Sequence, residues 1–276
     1  MPAAADGATP ASLQRELGAA VETAITRFEN WRRAIASGGF SLAFQPIVAL
    51  ADRRAHHHEA LVRFPAGEEP LAVVRFGEEA GLIEELDLAI TDRALSVLAD
   101  APWARLAVNL SGRSVQSPAF RAGLAGLLSR RRALLGRLMF ELTETHAIEQ
   151  VAAAAEFLKR LRDDGCSVCL DDFGAGAAAY HYLRHFDVDF VKIDGPFLKA
   201  AAANDRDRRL VRSICGLCSE LGIGVIGEMI EDEPAAMAAA ALGIGYGQGR
   251  LFGAPMAGLT AAPRKGETDD GPGGEL

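Results

Sequence analysis

Eight short apolar runs punctuate this chain, near residues 40–48, 55–63, 105–110, 138–142, 167–172, 188–193, 223–228 and 244–248. After the second run the gaps carry helical patterning, in stretches that include Asp87–Ala99, Pro118–Leu128, Ile148–Asp164, Asp205–Leu221 and Pro234–Leu242. Repeated strand–helix units demand a mostly parallel sheet, because a parallel neighbour is reached only through a long crossover. Eight such strands close a barrel. The first connection breaks the rule. Only ALADRR separates Val48 from Ala55, too short for a crossover, so the first two strands form an antiparallel hairpin. The expected fold is α/β, a modified TIM-type (β/α)8 barrel with one antiparallel strand. A turn centred near Asp52 puts Gln45 opposite Glu59.

Seven of the runs, the second to the eighth, end in a polar residue where an apolar one is expected. These are Glu59, Asn109, Glu141, the pair Asp171 and Asp172, Lys192, Glu228 and Gln248, while Gln45 lies inside the first run. A buried carboxylate without a partner costs several kcal/mol, so the repetition needs one common cause. Reacting groups in α/β barrels come from the carboxyl ends of the strands, which gathers Glu59, Glu141, Asp171, Asp172 and Glu228 into one ring. Two carboxylates ~4 Å apart repel by about 4 kcal/mol at an effective dielectric near 20. Lys192 and Arg63 are too few to offset five of them, so the ring calls for cations. All-oxygen ligand sets select hard ions, Mg2+ or Mn2+. Asp171 and Asp172 are adjacent and both reach such an ion only if the chain leaves the strand there, which the following FGAG permits.

Other features point away from other chemistries. A formal charge of −8 and a pI near 5.3 leave no basic stripe for a nucleic-acid backbone. The opening MPAAADGATP lacks the basic start and apolar stretch of a signal peptide, and no run reaches the ~18 apolar residues of a membrane span, so a cytoplasmic protein is expected. Cys166 and Cys169 fall on a strand, where residues three apart face opposite ways, and Cys215 and Cys218 fall in a helical pattern; both pairs read as packing. Of His56, His57 and His58, only His57 shares the face of Glu59, about two residues deeper, and a structural role is expected. His181 and His185 read as helix-surface residues, and Ser111 as a cap of the next segment.

The domain layout follows. Residues 1–11 read as disordered, and 12–37 as an amphipathic helix capped by Ser12, with a seam of Leu17, Val21, Ala24, Phe28, Trp31 and Ile35. Residues 38–257 form the barrel and 258–276 a disordered tail rich in Gly, Pro and charge. The seam either packs on its own domain or makes a homodimer contact.

The motifs FQPIV, HEALVRF, EEAGLI, VNLS, FELTE, LDDFGAG, VDFVKID, GEMIE and GQGRLFGAP occur in that order over roughly residues 35–257. In this the chain resembles the EAL-domain phosphodiesterases that act on cyclic di-GMP. The resemblance implies two-metal hydrolysis of cyclic di-GMP to linear pGpG, with two divalent cations, Mg2+ or Mn2+. It assigns Glu59, Asn109, Glu141, Asp171, Asp172 and Glu228 to the metals, with Asp171 bridging. It implies that Lys192 contacts the attacking water, with Glu59 and Glu228 also in the catalytic set. It gives Arg63 a substrate phosphate, makes Gln45 and Gln248 substrate-site positions, and has Glu144 and Glu231 support the loop after the fifth strand. The chain departs from the family where GAGAAAY (174–180) replaces the usual GTGYSSL, and at Phe64, Gly195, Pro196, Met229 and Arg250. These changes leave a second outcome, an EAL domain of low or no turnover acting as a cyclic di-GMP receptor or protein-interaction module.

Overall fold

A computed structural model describes residues 10–64, 70–143, 148–174 and 179–259. Helix α1 (Pro10–Ser37) leads into strands β1 (Ser41–Ala49) and β2 (Ala55–Arg63). There follow α2 (Pro70–Ala80), α3 (Ile83–Asp100), β3 (Leu106–Ser111), α4 (Gly112–Gln116), α5 (Pro118–Ser129), a 3-10 turn at Arg132–Arg137 and β4 (Leu138–Thr143). The chain continues through α6 (Val151–Asp163), β5 (Ser167–Phe173), α7 (Ala179–His185), β6 (Phe190–Ile193) and α8 (Gly195–Ala203). It then runs through α9 (Asp205–Glu220), β7 (Gly224–Gly227), α10 (Glu233–Ala241) and β8 (Tyr246–Gln248).

The strands close a barrel in the order β1-β2-β3-β4-β5-β6-β7-β8. β1 runs antiparallel to both neighbours and every other pairing is parallel. In the hairpin Gln45 pairs with Glu59, the register expected from the short connection, and Arg53 takes φ 62 to complete the turn. Outward strand residues such as Val108, Phe140, Val168 and Val191 are buried under the helices in the main core. Inward residues form two layers spaced two apart along each strand. The lower layer, Ile47, Ala107, Met139, Cys169 and Ile226 with Phe190 and Tyr246 against it, fills the barrel with apolar bulk. The upper layer is the polar ring. Period-two alternation alone generates this division.

Cys169 faces the barrel interior while Cys166 lies in the outer core, so the two point apart; all four cysteines are free and buried. Ser111 caps α4 by accepting a hydrogen bond from the Arg113 amide at 3.1 Å. Helices α2, α4, α7 and α8 add to those expected. Helix α1 begins at Pro10, so Ser12 lies inside it rather than capping it. Residues 1–9 and 260–276 lie outside the described residues. The C-terminal part of the α1 seam packs on the barrel: Trp31 stacks on Phe64 at 4.7 Å, meets the edge of Phe76 at 5.4 Å, and is buried with Ile35. Farther up, Val21, Ala24 and Ile25 are exposed. Among the described residues no helix is long and apolar enough to cross a membrane.

Candidate active site

The carboxyl ends of the strands bring the polar residues together around one ammonium. Lys192 Nζ lies 2.7 Å from Glu228 Oε1, 3.1 Å from Glu141 Oε2, 3.1 Å from Asp171 Oδ1 and 3.4 Å from Glu59 Oε2. Burial works against its charge, but the four carboxylates outweigh that and hold its pKa well above the ordinary lysine value. Glu59 is further gripped by Asn109 Nδ2, which donates to Oε1 at 2.8 Å, and by Gln248 Nε2, which donates to Oε2 at 2.6 Å. Gln248 Nε2 also lies 3.1 Å from Gln45 Oε1, and Gln45 Nε2 donates to the Gly253 carbonyl at 3.2 Å. Gln45 therefore joins the ring through the hairpin register.

Two sets of carboxylates are each close enough to share an ion: Glu59, Glu141 and Asp171 in one, and Asp171, Asp172 and Glu228 in the other. Asp171 belongs to both. The backbone makes this arrangement at Asp172, which takes φ 55 inside a register shift between Leu170 and Phe173. A regular strand would have turned Asp172 to the outer face; the bulge returns it to the ring. The departure occurs at Asp172 itself rather than in the FGAG that follows. Glu228 sits one residue past β7, its amide donating to the Ile193 carbonyl at 3.1 Å, so the ladder still aims its side chain inward.

The electrostatics differ across the ring. Burial pushes Glu141 well above the ordinary carboxylate range, with Glu59 and Asp171 adding and Lys192 opposing. Burial likewise raises Asp171, against Lys192, and raises Glu228 to about 7. For Glu59 burial also opposes ionisation, but Lys192 and the hydrogen bonds from Gln248 and Asn109 prevail and its pKa falls. Glu59 is thus the ionised anchor, and its neighbours resist charge in the absence of a cation.

Of the remaining expected residues, Arg63 and Glu231 lie at the rim. Arg63 ends β2 and donates to the Val62 carbonyl at 2.9 Å. Glu231 faces Arg250 at 3.6 Å on the surface. Glu144 lies outside the described residues. Beside Glu228 opens a cavity of about 430 Å³ lined by Gly195, Lys199, Met229 and Ala235. Two of the chain's departures meet here: a Cβ at Gly195 would collide with the side chain of Met229, so the small residue accommodates the large one. Gly249, next to Gln248, is demanded by packing, since a Cβ there would run into the backbone of Ile230. Sequence pattern does not single out the buried network in which the Ser111 amide donates to Asp87 Oδ2 at 3.0 Å and the Ser111 hydroxyl to Glu78 Oε1 at 3.1 Å. Its sequence signal was only acidic residues at helical spacing, indistinguishable from a solvated face.

Residues 29–255 match the EAL domain family. The chain is 32% identical over 252 residues to the cyclic di-GMP phosphodiesterase PdeF of Escherichia coli K12, covering 88% of this chain and 33% of that protein. It is 33% identical over 237 residues to the cyclic di-GMP phosphodiesterase PdeB of Shewanella oneidensis MR-1, covering 81% of this chain and 27% of that one. The chain thus spans about a third or less of these relatives. Among solved structures, the EAL enzyme Bd1971 with cAMP and cyclic di-GMP bound superposes with a TM-score of 0.74 at 26% identity, covering 88% of this chain and 69% of that one.

Proposed function

The chain belongs to the EAL domain family, and on that premise we propose that it is a metal-dependent phosphodiesterase that hydrolyses cyclic di-GMP to linear pGpG. The observation that carries the reading is the pair of carboxylate sets sharing Asp171. Five carboxylates against the ammonium of Lys192 leave four formal charges unmatched when all are ionised, the charge of two divalent cations. Oxygen donors without cysteine or histidine fit Mg2+ or Mn2+. Glu59, Asn109, Glu141 and Asp171 would hold one ion, and Asp171, Asp172 and Glu228 the other. The chemistry such ions supply is polarisation of phosphate oxygens and acidification of a water.

The protein's own groups supply the rest. Glu59, kept ionised by Lys192, Asn109 and Gln248, offers a charged ligand before any ion arrives. Lys192, kept charged by the surrounding carboxylates, would donate a hydrogen bond that orients the attacking water. Gln248 donates to Glu59 from β8, with Gln45 acting through Gln248; both glutamines are assigned to the substrate site, and Arg63 to a substrate phosphate. Glu231 and Glu144 are assigned to support of the loop after β5.

Incubation of the pure chain with cyclic di-GMP and Mg2+ or Mn2+, with chromatographic detection of pGpG, tests the proposal. Binding without product at either metal would favour the receptor reading, for which the replaced hydroxyls at Ala177, Ala178 and Ala179 speak. We assign the protein to the cytoplasm, where this nucleotide acts in the proposed reaction. We also propose a homodimer through the upper part of α1, because Val21 and Ala24 continue at heptad spacing the seam that Phe28, Trp31 and Ile35 bring to the barrel. Light scattering of the whole chain and of Val21→Glu should give a dimer and a monomer; a monomer for both refutes it.

A further inference from the structure

Beneath the carboxylates, the apolar lower layer of the barrel is interrupted by one imidazole. His57 is 2% exposed and lies on β2 two residues below Glu59. Its Nε2 has no hydrogen-bond partner and lies 4.0 Å from Oε1 of Glu141, a buried oxygen that also has none. The other Glu141 oxygen, Oε2, faces Lys192 at 3.1 Å. On the far side of the ring, His57 Nδ1 lies 2.8 Å from Nδ1 of His56, so one of these two nitrogens donates to the other.

A neutral imidazole carries a single ring proton. If that proton sits on Nδ1, the lone pair of Nε2 points at the lone pairs of an ionised Glu141, and both buried atoms stay unsatisfied. If it sits on Nε2, the His56 Nδ1–H donates to His57 Nδ1 and the His57 Nε2–H faces the carboxylate. A carboxylate that ligates a cation is ionised, and only the second arrangement pairs it. The gap exceeds hydrogen-bond range, and about 1 Å of side-chain movement closes it.

We propose that His57 is a positioning residue: with its tautomer set by His56, its Nε2–H holds the lower oxygen of Glu141 so that the upper oxygen is presented to the cation. The inference rests on the metal reading above. It also accounts for a polar residue in a layer that the fold fills with apolar groups.

Mn2+ titration of the whole chain, read by electron paramagnetic resonance without substrate, separates the two. His57→Leu keeps the volume and removes the donor, and should weaken Mn2+ binding about 10- to 100-fold, the range usual for groups that orient a metal ligand. His57→Gln restores an N–H at similar reach and should recover most of that loss, with circular dichroism confirming the fold of both. Long-range 1H–15N correlation of the wild-type protein in Mg2+ should show His57 protonated on Nε2. Wild-type affinity in His57→Leu, no recovery in folded His57→Gln, or an Nδ1–H tautomer would each overturn the positioning role. A wild-type protein that binds no Mn2+ would instead overturn the metal reading, and this inference with it.

Discussion

Replacing Glu228 by Gln should make the metal-free protein more stable, although Glu228 makes the shortest of the four contacts to Lys192. Glu228 holds its proton up to about pH 7 against an ordinary value of 4.5, first because it is buried, then because Asp171 and Glu59 repel its charge, with Lys192 opposing. A carboxyl whose pKa is higher in the folded state favours folding fully below pH 4.5, and that advantage disappears as pH rises through about 7. At about 1.4 kcal/mol per pH unit, the rise corresponds to about 3 kcal/mol of stability lost on ionisation at pH 8. Gln cannot ionise and can still accept a hydrogen bond from Lys192. In EDTA, Glu228→Gln should therefore match wild type at pH 4.5 and exceed it at pH 8 by up to about 3 kcal/mol, or roughly 6–12 °C in Tm. Saturating Mg2+ should reverse the order, because an ion that binds only the folded wild-type site stabilises it by mass action. Urea and thermal denaturation followed by circular dichroism at both pH values, with EDTA and with Mg2+, measure every arm. A variant no more stable than wild type at pH 8 in EDTA would refute the argument that the ring is electrostatically strained without cations.

Three further outcomes are expected. Glu59→Gln removes a carboxylate whose pKa is held low and sets a buried amide NH2 against the donors of Asn109, Gln248 and Lys192, so it should abolish both Mn2+ binding and pGpG formation and lower Tm; retained turnover would remove Glu59 from the metal set. Trp31→Ala empties the stack between Phe64 and Phe76 and should cost about 3–5 kcal/mol, seen as a lower Tm and faster protease cleavage within α1; unchanged cleavage would show that α1 is held otherwise. Burial raises the thiols of Cys166 to about 12 and of Cys215 and Cys218 to about 11, so Ellman's reagent at pH 8 should label none of these rapidly in the folded protein. Rapid labelling would contradict the packing reading of the two C-x-x-C pairs.

The barrel and most of its ring were legible in the sequence because both follow from local rules. Side chains two apart on a strand share a face, so Met139 below Glu141 and Ala107 below Asn109 announce an apolar layer under a polar one. The six-residue connection after Val48 left only a hairpin, and the hairpin register then put Gln45 beside Glu59. The helices α4 and α7, of five and seven residues, escaped because so few turns carry too little periodicity to stand out from loop.

Tertiary structure decided what depends on contacts between strands far apart in sequence. Pattern alone left Asp171 and Asp172 on opposite faces; the positive φ of Asp172, imposed where β5 slips against β6, turned both toward the ring. Lys192 appeared as one polar ending among several, and only barrel closure set its ammonium among four carboxylates from four strands. The placement of His57 Nε2 against Glu141 joins positions 84 residues apart and had no local signature. Alternation along a strand is a property of the backbone and can be read in one dimension, whereas the spacing of charges across a closed barrel exists only once the chain has folded.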